Sequence, residues 1–177
     1  QWLPAILSEL RRTAPEIDVS ITTGGMRDIY AAVKNDELDC AIISYQESLC
    51  QGMKWVALRD DPLLAILPAD FELDGGSFPV KLFEGREFLM PADDFELDIL
   101  PVLDNGGKKV TPEFRYTGLD DAAIVSMAAH GLGVSMLSEL VMDGISDKVL
   151  AIPLSPPAFR RLGLAVSEHL QNDRSIK

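Results

Sequence analysis

Histidine and cysteine are scarce in this chain, with two of each (His130, His169, Cys40 and Cys50) in 177 residues. Two cysteines do not make a disulfide framework of the secreted kind. Cys40, inside Cys40-Ala41-Ile42-Ile43, reads as a small buried hydrophobe, Cys50 falls in a polar loop, and both are expected as reduced thiols. The four residues do not show zinc spacing, so no metal site is expected. Basic residues are also few, 16 against 28 acidic, for a net charge of −12. So acidic a surface repels phosphate backbones and anionic membranes, and this segment is not expected to grip nucleic acid itself. No run of 18 or more apolar residues occurs, which excludes a transmembrane helix. The opening Gln1-Trp2-Leu3-Pro4 has no basic leader followed by an apolar stretch, so no signal peptide is read there; without an initial Met the sequence reads as cropped.

What is present is the balance of a globular protein. Hydrophobic residues make up 47% and charged residues 25%, enough apolar material for a real core despite the net charge. Trp2, Leu3, Ile6, Leu7 and Leu10 share one helical face, and Pro15 ends that helix. Ile17, Val19 and Ile21 alternate with polar residues as in a strand, broken by Thr22-Thr23-Gly24-Gly25. Met26, Ile29, Tyr30 and Val33 mark a second helix, and residues 40–43 a short buried strand. This rhythm predicts parallel strands with helical crossovers. Val56 and Leu58 alternate ahead of Asp60-Asp61-Pro62, and residues 63–68 form an apolar strand ended by proline.

The rhythm then repeats. Phe88-Leu89-Met90 reads as a strand, Phe95, Ile99 and Leu103 space a helix ended by Gly106-Gly107, and Phe114 and Tyr116 alternate on another strand. Asp120 is placed to N-cap a helix over about residues 122–129, apolar on most sides and expected to be well buried. Gly131 stops it. Strands follow over residues 134–137, 149–154 and 162–166, the last two separated by Pro156-Pro157.

Several of these segments resemble the co-inducer-binding domain of LysR-type transcriptional regulators. Trp2-Leu3-Pro4 leading to Ala14-Pro15-Glu16-Ile17 resembles that family's first helix and second strand. Gly25, Ile29 and Val33 followed by Glu37-Leu38-Asp39-Cys40-Ala41-Ile42 resemble its glycine, helix and ELD-x-A-I signature. Residues 63–68 resemble the crossover into the second lobe. Ala129-His130-Gly131-Leu132-Gly133-Val134 resembles the family's helix-to-strand turn, and Arg161-Leu162-Gly163-Leu164-Ala165-Val166 the returning strand. Each motif alone is weak; together, in order along nearly the whole chain, they are specific. Two departures stand out. The family's central first strand has no counterpart, so the sequence is expected to be truncated relative to the folded molecule, and an isolated chain lacking that strand to be poorly stable. Ser138 also stands where the family often has proline.

The resemblance implies an α/β fold of two Rossmann-like lobes joined by two crossing strands, of the periplasmic-binding-protein type II kind. Residues 1–64 and 161–177 would form lobe I and 65–160 lobe II, with the N-terminal helix-turn-helix absent from this chain. A small-molecule effector would sit between the lobes, without a cofactor. The whole protein would be cytoplasmic, away from membranes, a homodimer or homotetramer, meeting DNA only through the missing domain. By similarity, the first helix would meet the partner's helix at about 122–129, and an exposed apolar stripe on either would support that.

Open α/β sheets bind ligands beyond the carboxyl ends of their strands, where helix N-termini expose free N–H groups. Four such ends are legible, each also readable as ordinary turn or packing chemistry: Thr23 and Gly24, Ser44 and Tyr45, Met90 and Pro91, and Tyr116 and Thr117. The resemblance adds Leu132. These loops suit a small organic acid or an aromatic metabolite and single out neither. The only arginine at hand is Arg27, just past the glycines. Asp93-Asp94-Phe95-Glu96-Leu97-Asp98 invites a calcium reading but lacks the glycine and distal glutamate of an EF-hand; acidic residues in a helix's first turn suffice to explain it. His130 sits at a helix C-terminus, a structural place for a cation. No nucleophile–base pair, phosphate loop or dinucleotide fingerprint is found, so an enzyme is not expected. A solute-binding receptor of the same two-lobed fold is the competing reading.

Overall fold

The structure, a computed structural model, describes residues 3–104, 107–142 and 148–167. Trp2, Gly106 and His169 lie outside them. Helix α1 (Leu3–Thr13) forms as its apolar spacing predicts, yet none of its residues is buried, and Ile6 is 49% exposed. The expected strand at residues 17–21 runs without strand pairing, with Val19 and Ile21 exposed. An alternating sequence becomes a strand only where a neighbouring backbone takes its N–H and C=O groups. Strand β1 (Cys40–Ser44) pairs on one side only among the described residues, with the last strand of the fold, and residues 17–21 do not pair with its other edge. Cys40, expected to be buried, is exposed for a related reason: the pleat turns Ala41 and Ile43 to the core, and Cys40 and Ile42 to the opposite, open face. Helix α2 (Met26–Lys34) buries Met26, Tyr30 and Val33 at i, i+4 and i+7.

Strand β2 (Met53–Pro68) is one strand of 16 residues where the sequence suggested two segments. After it come β3 (Phe78–Pro79), a 3₁₀ turn (Val80–Phe83), β4 (Glu87–Pro91), α3 (Glu96–Leu103), β5 (Glu113–Leu119) and α4 (Asp121–Ala129). The chain ends through β6 (Ser135–Ser138), α5 (Glu139–Met142), β7 (Val149–Ser155) and β8 (Phe159–Ser167). From Met53 to Pro62, β2 pairs antiparallel with β8; from Leu63 to Pro68 it runs between β6 and β7, again antiparallel. The change of partners divides the molecule into two lobes. The first holds α1, α2, β1 and the facing parts of β2 and β8, and the second holds the remainder.

The expectation of mostly parallel pairing is therefore corrected. β2 and β8 carry the chain between lobes in opposite directions, which makes them antiparallel to each other and β1 antiparallel to β8. Among the described residues parallel pairing is confined to the second lobe: β4 with β5, a two-residue contact of β3 with β7, and a bridge between Phe88 and Val134.

The buried half of β2 organises the second lobe. Leu63, Ala65 and Leu67 face a cluster with Phe78, Phe83 and Phe88, while Leu64 and Ile66 face Leu89, Ile124, Val125, Ala128 and Leu137. Each large side chain removed from water there contributes about 1.5–3 kcal/mol. Helix α4, capped by Asp120 through the Ala123 N–H at 2.7 Å, packs one side into the second cluster. It is less enclosed than its composition suggested, since Ala122 and Ser126 stay exposed. The first lobe has a smaller core of Met26, Tyr30, Ile43 and Ala165.

Gly163 brings β8 close against β2: a Cβ there would overlap the Trp55 ring and lie 2.5 Å from the Val56 carbonyl oxygen. Gly163→Ala should therefore cost about 1–3 kcal/mol, the usual range for overpacking, seen as a lower urea midpoint with an unchanged slope.

Candidate functional site

The lobes meet where the C-terminal end of β4 faces the N-terminus of α2. Gly25 is the N-cap residue of α2 and has no side chain to cap it. The first N–H groups of the helix are instead satisfied from the other lobe. The Met26 N–H donates to the Asp93 carbonyl oxygen at 3.3 Å, and the Arg27 N–H to Asp94 Oδ2 at 2.8 Å. The Arg27 guanidinium adds bonds to Asp94 Oδ1 at 2.6 Å and Glu96 Oε1 at 3.2 Å. A carboxylate at a helix N-terminus is favoured by the dipole and by the unpaired N–H groups. Gly25 also makes room for it, since a Cβ there would stand 3.2 Å from Asp94 Oδ2.

A second junction lies at the end of β1. The Ser44 hydroxyl and the Gln46 side-chain amide both donate to Asp98 Oδ1, at 2.7 and 2.9 Å. Asp98 Oδ2 is buried and has no hydrogen-bond partner. Burial pushes the Asp98 carboxyl above the usual carboxylate range, with the Ser44 bond and the Arg160 charge pulling the other way. Behind Ser44, the Tyr30 hydroxyl donates to the Ser44 carbonyl oxygen at 2.6 Å and accepts from the Gln46 N–H at 3.2 Å, fixing the loop that meets Asp98. Cys50 Sγ is 3.1 Å from the same hydroxyl. Leu97 packs between these anchors against the first lobe's core.

At the crossing itself, Asp61 of β2 and Arg160 of β8 stand opposite each other in register. Asp61 is fully buried; Arg160 Nε donates to its Oδ2 at 2.8 Å, and the Leu140 N–H to its Oδ1 at 3.2 Å. Arg160 also donates to the Ser138 hydroxyl at 2.9 Å and lies over the Phe95 ring at 5.1 Å. Among the titrating groups near it is Asp121 of α4, whose carboxyl is pushed up by desolvation and held back by Arg160.

The expected site residues are only partly brought together. Ser44 is buried in the second junction, and Tyr45 stacks beside it, edge-on to Trp55 at 5.3 Å with the Arg161 guanidinium 4.6 Å from its ring. Thr23 and Gly24 lie exposed on the approach to α2. Pro91 ends β4 at the junction, but Met90 turns into the second lobe's core, since successive residues of a strand face opposite ways. Tyr116 is half-buried against the Leu64 and Ile66 side of that lobe, and Thr117 is exposed next to it on β5. Leu132 is not brought here. The Val134 N–H bonds the Glu87 carbonyl oxygen at the start of β4, which puts Leu132 at the far end of that strand from Pro91. Its neighbours Gly131 and Gly133 line a separate groove of about 340 Å³ with Phe71 and Arg86.

Asp94, Asp98, Gln46, Asp61 and Arg160 escaped the sequence reading. The acidic run was assigned to its own helix, whereas its carboxylates act on the other lobe. A usable signal was present in Asp61 and Arg160, charged residues next to the apolar stretches that cross between lobes. His130, as expected, serves the C-terminus of α4, with Nδ1 2.7 Å from the Ser126 carbonyl oxygen.

Two lobes crossed by antiparallel strands, with helix N-termini and strand ends converging on the seam, define the type II periplasmic-binding-protein-like class of effector-binding domains. The family described as the LysR substrate binding domain matches residues 1–177, and the chain belongs to it. Among curated proteins it is similar to the uncharacterized HTH-type transcriptional regulator YvbU of Bacillus subtilis (strain 168), 22% identical over 168 residues, covering 93% of this chain and 56% of that protein. It is similar also to the HTH-type transcriptional activator IlvY of Salmonella typhimurium, 26% identical over 159 residues, covering 83% and 50%. The chain thus spans about half the length of the curated relatives it matches. In fold it resembles the Synechocystis PCC6803 CcmR regulatory domain in complex with 2-PG, with a TM-score of 0.83 at 22% identity over 98% of this chain and 85% of that one. The BenM effector binding domain with its effector benzoate gives 0.78 at 20% identity, over 95% and 78%.

Two measurements follow from this geometry. Asp61→Ala leaves Arg160 without its buried partner and should cost about 3–5 kcal/mol in denaturant unfolding. For Asp98 the folded carboxyl titrates above its ordinary value of 3.8, so the folded state holds its proton more tightly than the unfolded state. Its contribution is complete below 3.8 and is lost as pH rises through the folded value. Urea unfolding across that window should show the wild type losing stability relative to Asp98→Asn, then a constant difference at higher pH.

Proposed function

We propose that this chain is the sensing half of a DNA-binding transcriptional regulator of the LysR type, and that it takes a small-molecule effector at the seam between its lobes. The observation that carries the reading is the family match over residues 1–177 together with a seam at which the first lobe presents a helix N–H group and hydroxyl and amide donors to carboxylates of the second. Residues 1–64 and 161–177 act as lobe I and residues 65–160 as lobe II. Thr23, Gly24, Ser44, Tyr45, Pro91, Tyr116 and Thr117 are the side chains and turns assigned to the effector.

The relatives are transcriptional regulators, which favours this reading over a solute receptor of the same shape and over catalysis. DNA contact belongs to a helix-turn-helix outside these residues, since the chain itself carries a charge of −12. Among the described residues no helix is long and apolar enough to cross a membrane, and we assign the protein to the cytoplasm. Assembly into homo-oligomers uses α1, whose Leu3 and Ile6 are exposed, against α4 of a second copy.

A thermal-shift screen against small organic acids and aromatic metabolites tests the reading. A ligand that binds only the native state raises the melting temperature, by the equivalent of about 2.7 kcal/mol at a hundred times its dissociation constant. Thr23→Ala and Tyr116→Ala should each reduce the shift given by any hit while leaving the ligand-free melting curve cooperative. Unchanged shifts in both would remove these residues from the site, and a panel without hits would count against the sensing role.

A further inference from the structure

We propose that residues 93–98 form a latch which holds the two lobes shut without ligand, anchored on the first lobe by Asp94 and Asp98. Three observations converge on it. Helix α2 depends on this segment for its cap, because Gly25 offers no side chain and the Met26 and Arg27 N–H groups bond only across the seam among the described contacts. The second anchor, Asp98 on Ser44 and Gln46, lies at a different edge of the first lobe, with Leu97 packed between the two. Separating the lobes breaks both anchors together and strips Leu97 from its pocket.

The third observation is strain. Asp93 and Asp94 are consecutive non-glycine residues in the left-handed region, with φ of 59° and 63°. Aspartate tolerates that conformation better than most residues, but two in succession persist only where surrounding contacts hold them. Local turn bonds, from the Phe95 N–H to the Ala92 carbonyl oxygen and from the Leu97 N–H to that of Asp94, shape the segment, and the other lobe adds the Met26 N–H on the Asp93 carbonyl oxygen and Arg27 on the Asp94 carboxylate. The segment is thus a two-state element: strained and bonded when the lobes meet, relaxed and unbonded when they part. An effector entering the seam competes with Asp94 for the α2 N-terminus and with Asp98 for the Ser44 and Gln46 donors. That last step rests on the proposed function; the latch itself is a property of the ligand-free chain and is tested without any ligand.

Amide hydrogen exchange on the full chain reads it directly. N–H groups in a helix's first turn have no acceptor within the helix and ordinarily exchange freely. In the ligand-free wild type the Met26 and Arg27 amides should instead be protected at least tenfold relative to unstructured peptide rates. Asp98→Ala removes the anchor that does not touch these amides, so a cooperative latch predicts their exchange to accelerate at least fivefold, with amides of residues 63–67 in β2 unchanged. Should Asp98→Ala disturb those β2 amides, the double variant Ser44→Ala with Gln46→Ala removes both donors to Asp98 and provides the same reading from the first lobe. Unprotected Met26 and Arg27 amides in the wild type would overturn the proposal. So would rates within twofold of wild type in whichever of the two variants retains its β2 protection, because the anchors would then be independent contacts.

Discussion

The pairing of β2 with β8 is the constraint on which the rest of the molecule depends. It is the covalent and hydrogen-bonded path between lobes, and the buried pair Asp61–Arg160 stands one rung from its end, where β2 changes partners. A carboxylate with no solvent exposure is tolerable only when its oxygens are taken up, and both are: one by the guanidinium, the other by the Leu140 N–H. Arg160 in turn spans Ser138 of the second lobe and the face of Phe95, at the head of the segment that meets the first lobe. The crossing therefore sets where the two lobes stand, and the seam contacts set how closely they approach.

The two lobes differ in how they are held. The second has its core filled on both faces of β2, with a run of phenylalanines from Phe71 through Phe78, Phe83 and Phe88 to Phe114 at centroid spacings of 4.7 to 5.9 Å. The first rests on a smaller cluster around Met26, Tyr30, Ile43 and Ala165 and on Leu97 borrowed from its neighbour. With α1 unburied and residues 17–21 unpaired, this lobe draws part of its order from contact with the other. Function at a seam benefits from that inequality, since the less firmly packed lobe is the one whose helix cap and strand-end loop are shared across the gap.

Much of the fold was legible because its elements repeat simple periods. Met26, Tyr30 and Val33 announced α2, alternation announced β5, and Asp120 announced its own cap. Residues 17–21 read as a strand and were not one, because alternation encodes a face and not a partner. Met90 was legible as a strand end but not as a core residue, since the direction of a side chain depends on register. The carboxylates of residues 93–98 were least legible of all. Their helix is sequence-local, but the groups they cap lie nearly seventy residues upstream, at Arg27. Nothing in a linear pattern distinguishes a carboxylate serving its own helix from one serving another.

The two kinds of interlobe charge contact also respond differently to the surrounding electrolyte. Arg27 is half exposed, so dissolved ions reach it and weaken its hold on Asp94 and Glu96. Arg160 and Asp61 are shielded and keep their attraction at ionic strengths that mask the former. Salt concentration thus loosens the rim of the gap while leaving its pivot intact, and a chain this acidic carries within itself a graded sensitivity to the ions around it.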